Sequence, residues 1–171
     1  MIIPLDGVAP TIDPSAYVQE SAQVIGDVHI GAESSIWFHT VLRGDVHSIR
    51  IGARTSIQDN STVHVTSGRH GTTVGDDVTV GHGVILHGCA IGNGSLIGIG
   101  AIVLDRCEIG EQCLIGAGAL LAPGTVVPPR SLVLGQPGVV VRPLREEELA
   151  SLATSAAKYV LNAARYKRQG I

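Results

Sequence analysis

Three histidines, His64, His82 and His87, interrupt a chain otherwise built on a monotonous six-residue repeat of aliphatic residues. Neutral imidazole is the usual protein ligand for zinc, and three of them leave a fourth coordination position open for chemistry. A regular scaffold has no structural use for imidazoles, so the trio predicts a metal site. The ion expected is Zn2+, with Fe2+ or Co2+ as alternatives, because three nitrogen ligands do not choose among them. His29, His39 and His47 read as surface residues.

The elements that must position these ligands are set by the repeat. Val, Ile or Leu recurs at steps of six from Ile12 to Leu42, resumes at Ile51, Ile57 and Val63, then at Val74, Val80 and Leu86, and runs on from Ile91 to Val133. The next residue is often glycine (31, 52, 75, 81, 92, 98, 110, 116), which we read as a need for freedom in φ where the chain turns. Four residues after the aliphatic the side chain is usually small, as at Ala16, Ser34, Thr55, Ser61, Ala101 and Ala119. One large and one small inward residue per short strand describes a triangular prism. Three strands make a coil of 18 residues, and about seven coils stack at the ~4.8 Å spacing of parallel strands. The pattern resembles that of hexapeptide-repeat proteins with a left-handed parallel β-helix, over about residues 12–136. Cys107 and Cys113 fall in the small inward slot as packing residues, whereas Cys89 reads as lying off it.

The period changes after Pro137. From about Arg145 to Gln169, Leu149, Leu152, Ala156, Tyr159, Ala163 and Tyr166 recur at threes and fours, an amphipathic helix. Glu146, Glu147 and Glu148 at its start and Arg165, Lys167 and Arg168 at its end complement the helix dipole. Residues 1–140 are thus expected to form the prism. Residues 141–171 are expected to carry a helix that packs back along it or on a neighbouring subunit.

All three breaks in the six-step fall around the histidines: nine residues from Leu42 to Ile51, eleven from Val63 to Val74, five from Leu86 to Ile91. Counted by strands, Leu42, Val63 and Leu86 lie on one side of the prism in successive coils. The residues after them, Arg43, His64 and His87, therefore form a column, with two imidazoles on adjacent rungs. His82 belongs to another side, in a column with Asp59, and points away from that pair. A cyclic, threefold oligomer would bring His82 of one subunit to His64 and His87 of the next.

Net charge is −3 and the isoelectric point near 6.1, which supplies no basic field for nucleic acid or an anionic membrane. The first ten residues lack a positive n-region and carry Pro4, unlike a secretory signal. No apolar run approaches the ~20 residues of a membrane span. Three cysteines without CxxC spacing suggest reduced thiols and a cytoplasmic setting.

The runs RGDV (43–46), IGARTSIQDNSTVH (51–64) and GHGVILH (81–87) resemble γ-class carbonic anhydrases, most nearly their short-loop branch. The resemblance implies a homotrimer that hydrates CO2 reversibly to bicarbonate, with His64, His82 and His87 as metal ligands at the subunit interface. It implies that the metal lowers the pKa of bound water to about 7, as zinc does in carbonic anhydrase. Arg43 and Asp45 match a salt bridge across subunits. Gln58 and Asp59 match polar residues beside the metal-bound solvent, and Tyr159 a tyrosine donated by the C-terminal helix.

The sequence also departs from the best-known branch. Val46 stands where that branch has a glutamate, Ser56 where it has an asparagine, and the insertion VTSGRHGTT (65–73) holds no carboxylate. His70, within that insertion, is the local candidate for a proton shuttle. Competing readings are a hexapeptide acyltransferase, a metal-dependent CoA-thioester hydrolase, and a non-catalytic trimer that binds metal or bicarbonate.

Overall fold

A six-residue step leaves room for a strand of two residues and a turn, and the computed structural model, which describes residues 1–171, has that form. Twenty strands, most of them two residues long, precede a single helix, Glu146–Gln169. They wind into a left-handed parallel β-solenoid of ~7 coils. Strands this short carry little twist of their own, which weakens the usual bias toward right-handed crossovers.

Stacking is in register. Ile57 is paired with Ile36 on one side and Val80 on the other, and Val80 in turn with Ile97. The repeated aliphatics accordingly form one internal column set; all are buried in the core except Ile12 and Val18, partly buried at the first coil. Inward hydroxyls are satisfied by carbonyls of the next coil: Ser34 donates to Gly52 O at 2.6 Å, Thr55 to Gly75 O at 2.7 Å and Ser61 to Gly81 O at 3.1 Å. A buried hydroxyl without such a partner would cost about 1–3 kcal/mol.

Two expectations change here. The glycines that follow the aliphatics (31, 52, 75, 81, 92, 98, 110, 116) do not adopt positive φ. They are needed because the coils approach too closely for a β-carbon: at Gly92 it would lie 2.6 Å from the Glu111 nitrogen and the Gly110 carbonyl carbon. Cys89, read as off the inward slot, is buried in the core and stacks on Cys107, whose carbonyl accepts the Ala90 N–H at 2.9 Å. The slot is set by the strand that follows: Cys89 precedes Ile91 by two residues, as Cys107 precedes Ile109. Counting forward across the five-residue break misplaced it. Burial pushes the Cys89 thiol up to about 12, so it is inert as a nucleophile.

The prism has three faces. One carries Ser35–Ile36, Ser56–Ile57, Thr79–Val80, Leu96–Ile97 and Leu114–Ile115. A second carries Thr62–His64, Ile85–His87, Ile102–Val103 and Leu120–Leu121, and a third Thr72–Val74, Ala90–Ile91, Glu108–Ile109 and Val126–Val127. Two long strands, Gln23–Ile30 and Val41–Ile51, run round the corner between the second and third faces. The first break in the repeat is absorbed there, with a shift of register after Gly26.

The helix packs on the first face of its own chain. The proposed boundary at 140/141 lies within Val139–Pro143, a strand that pairs antiparallel with Ser131–Leu134 and leads the chain back to the helix. Leu149 and Leu152 pack with Leu132 and Leu144 at one end. At the other end Tyr159, Ala163 and Tyr166 pack with Tyr17, Trp37 and Phe38, so every aromatic side chain of the protein lies in one cluster. Lys167 closes the contact by donating to the carbonyls of Pro14, Ser15 and Ala16 at 3.1–3.2 Å. No helix is long and apolar enough to cross a membrane.

Gly92→Ala should cost roughly 1–3 kcal/mol in denaturant unfolding through overpacking, although alanine is normally the better residue for chain entropy. At the helix start, Arg142 and then the Arg145 N–H hold the Glu148 carboxyl at about 2, below its usual 4.5. That depressed value makes the contact stabilising above pH ~4.5 and lost as pH falls toward ~2. The melting-temperature gap between the wild type and Glu148→Gln should therefore be full at neutral pH and close across that window.

Candidate metal centre

The core column that aligns Leu42, Val63 and Leu86 also brings the residues after them together. Leu42 is paired with Val63, Leu86 with Val63, and His87 directly with His64. The imidazoles lie 3.2 Å apart, His64 Nδ1 to His87 Nε2, with ring centroids separated by 5.1 Å. The far nitrogen of each ring faces a carboxylate: His64 Nε2 lies 3.0 Å from Asp45 Oδ1, and His87 Nδ1 3.2 Å from Asp105 Oδ1.

This arrangement has a consequence for what the gap can hold. If each neutral ring donates its one N–H to its own carboxylate, two lone pairs face each other across 3.2 Å. Only a shared proton or a cation reconciles them. Two nitrogens bound tetrahedrally at 2.0–2.1 Å to one ion stand about 3.3 Å apart, so the spacing fits a metal.

His82 is built the same way at a different corner. Its Nδ1 lies 2.8 Å from Asp59 Oδ2, and the ring is otherwise exposed. Of the seven histidines, only His64, His82 and His87 have a carboxylate oxygen within 4.0 Å. A carboxylate on the outer nitrogen fixes the tautomer and orientation of a ligating imidazole. His29, His39 and His47 are exposed, as expected. No three His, Cys, Asp or Glu side chains of one chain are placed to hold a metal ion.

The second face lies between these corners. It begins after the Gly81–Gly83 turn that carries His82 and ends at His64 and His87. Its outward residues include Val41, Thr62, Ile85, Ile102 and Leu120, without a charge. The third face instead presents His29, Arg50, Thr73 and Glu108. Burial, the strongest influence on Asp45 and Asp105, raises their carboxyls. Hydrogen bonds from His64 and Arg43 on one, and from Thr66 and His87 on the other, outweigh it and hold both below their ordinary value. Both therefore stay ionised at neutral pH.

Other candidate residues fall in distinct places. Arg43 pairs with Asp45 of the same chain, a contact separate from the intersubunit bridge that the family resemblance implied. Asp59 is held against His82. Gln58, buried, lines a cavity of about 490 Å3 with Thr79, His82, Ser155 and Tyr159, walled by Leu96, Ile99, Leu114 and Leu134. Burial, and then the charge of Asp59, push the Tyr159 hydroxyl upward, so it remains a donor. His70 lies over Gly88, where an added β-carbon would meet the His70 Cβ at 3.1 Å. Asp105 was missed: it lies 18 residues beyond His87, in a turn that looks like any other, and nothing short of the coil count links the two.

Known proteins share this framework. The family model "Bacterial transferase hexapeptide (six repeats)" matches residues 88–123. A "Probable carbonic anhydrase" of Methanocaldococcus jannaschii is 46% identical over 149 residues, covering 87% of this chain and 93% of that one. The chain belongs to the hexapeptide-repeat family that includes the γ-carbonic-anhydrase-like proteins. Within that family, "Gamma carbonic anhydrase 1, mitochondrial" of Arabidopsis thaliana is 56% identical over 73 residues, which span only 26% of the plant protein. A Bacillus cereus structure described as a candidate acetyltransferase is 43% identical with a TM-score of 0.96, covering 98% of this chain and 97% of that one.

If the site hydrates CO2 and His70 exports the protons released, His70→Ala should lower turnover at low buffer concentration and leave it unchanged at high buffer. Equal turnover of the two proteins at both concentrations would remove His70 from that role.

Proposed function

We propose that this protein forms a divalent-metal centre between copies of itself and uses it to hydrate CO2. The observation that carries the reading is the shared design of His64, His82 and His87, each with one nitrogen on a carboxylate and one left for a ligand. His64 and His87 would supply two ligands and His82 of a neighbouring copy the third. The uncharged second face supports a closed ring of three. Turned toward the axis, it sets the His82 corner of each copy against the His64/His87 corner of the next.

Zn2+ fits the donor set, and so do Fe2+ and Co2+. What such an ion supplies when bound is a water acidic enough to lose its proton near pH 7. The residues of this chain do the rest. Asp45, Asp59 and Asp105 hold the ligand rings in the tautomers that leave a lone pair free. The Gln58 amide, buried beside His82, orients CO2. The Tyr159 hydroxyl, still protonated, donates to the bicarbonate formed.

A second reading is transfer or hydrolysis of an acyl thioester. It is favoured by the cavity of about 490 Å3 beside His82, much larger than a triatomic substrate requires, and by the likeness to the Bacillus cereus protein. The two readings separate when metal-loaded protein is assayed in parallel for CO2 hydration by stopped flow and for hydrolysis of acetyl-CoA.

Complementation tests the split site. His82→Ala and the double variant His64→Ala/His87→Ala should each lose tightly bound metal and activity. Refolded together in equal amounts, they should recover about a quarter of the sites, because only one pairing in four at each interface unites all three ligands. Recovery of nothing, with both variants folded and assembled, would overturn the shared site.

A further inference from the structure

We propose that Asp105 is the positioning residue of His87, and that the 65–73 insertion serves to hold Asp105 in that role. The proposal rests on the reading of His87 as a metal ligand, and its test separates the two. Asp105 comes from the coil above His87, and its carboxylate is engaged by side chains alone: the Thr66 hydroxyl donates to Oδ1, the same oxygen that faces His87 Nδ1 at 3.2 Å. Asp13, at the start of a turn, accepts the N–H of Ser15 two residues on at 2.8 Å, the ordinary turn-capping use of such a residue. Asp105 accepts no backbone N–H and faces the imidazole instead.

The insertion is tied into the ligand strands at both ends. At its start, Thr66 closes a tight turn: its N–H donates to His70 O at 2.9 Å, and its carbonyl accepts the N–H groups of Arg69 and His70 at 3.1 and 3.2 Å. That turn presents the Thr66 hydroxyl to Asp105. At its end, the buried Thr72 hydroxyl donates to the carbonyl of His64 at 2.5 Å and accepts the Gly88 N–H at 2.9 Å. One segment thus fixes the backbone on both sides of the histidine pair and the carboxylate behind one ring.

Gly88, the residue after His87, is shaped to the same purpose. It has φ +58°, and a β-carbon there would lie 2.2 Å from Asp105 Oδ1. Any other residue would displace the carboxylate from the imidazole. Asp105 then selects the Nδ1–H tautomer of His87 and leaves Nε2 as the free lone pair toward His64. The longest break in the repeat has a use that requires no carboxylate of its own.

The test uses the full-length protein labelled with 15N-histidine. In metal-free wild type the ring shifts of His87 should report the Nδ1–H tautomer, and in Asp105→Ala they should move toward Nε2–H. Zinc affinity, measured by chelator competition, should fall about 10–100-fold in Asp105→Ala, the usual loss for an outer partner of a ligating histidine. Asp105→Asn, whose amide oxygen still accepts, should recover most of it, and Thr66→Val should lie between. An unchanged tautomer together with zinc affinity within about 2-fold of wild type, well short of that expected loss, would overturn the proposal. Should Asp105→Ala fail to fold by circular dichroism, Thr66→Val and Asp105→Asn carry the same comparison. If wild type holds none of zinc, iron(II) and cobalt(II), the metal reading fails, and the His87 tautomer alone still decides for or against Asp105.

Discussion

Everything in this molecule depends on the hydrogen-bonded ladder between coils. Each rung repeats the one below at the spacing of parallel strands, so a residue's neighbours are set by the coil count and not by sequence distance. The same ladder demands glycine where successive coils nearly touch, as at Gly92 and Gly98. It stacks Ile36, Ile57, Val80 and Ile97 into a continuous core and lets inward hydroxyls find carbonyls one coil away. Stability and register are therefore one property here, and a side chain added at a close approach disturbs both.

A scaffold so repetitive has little to offer chemistry except at its irregularities. The corners are where the chain can lengthen without breaking the ladder, and all three interruptions of the six-step lie around the histidines. Extra residues supply a long strand round one corner that carries Arg43 and Asp45 and a tight turn that presents Thr66, and the shortened third step carries a glycine that admits Asp105. Carboxylates stand behind His64, His82 and His87 and behind no other histidine. Opposite them, the small aromatic inventory is concentrated between the helix and the first face, where it seats Tyr159 in the wall of the cavity that also holds Gln58 and His82.

Much of this is legible in the amino-acid sequence. The aliphatic period specified the prism, and counting strands across the breaks placed His64 over His87 with His82 elsewhere, because a ladder converts strand number into position. The helix could be read from its three-four spacing and its acidic start. The errors are as physical as the successes. Cys89 was misplaced by counting forward through a shortened coil, when the inward slot is defined by the strand that follows it. The glycines were assigned to φ when steric approach between coils is what requires them, and that approach cannot be seen in a single repeat.

What the sequence by itself determined is the periodic part: the solenoid, its face structure, and the column that pairs two histidines, since each follows from a hydrophobic repeat and one spacing. What only the tertiary structure decided is which side chains turn toward those histidines. Asp105 reaches His87 from the next coil, Asp45 is shared between Arg43 and His64, and the helix chooses its own prism to cover. These depend on side-chain reach and on the exact course of corner turns, which no periodicity encodes. A ladder sets which residues are neighbours, and only the folded corners set where their polar atoms meet.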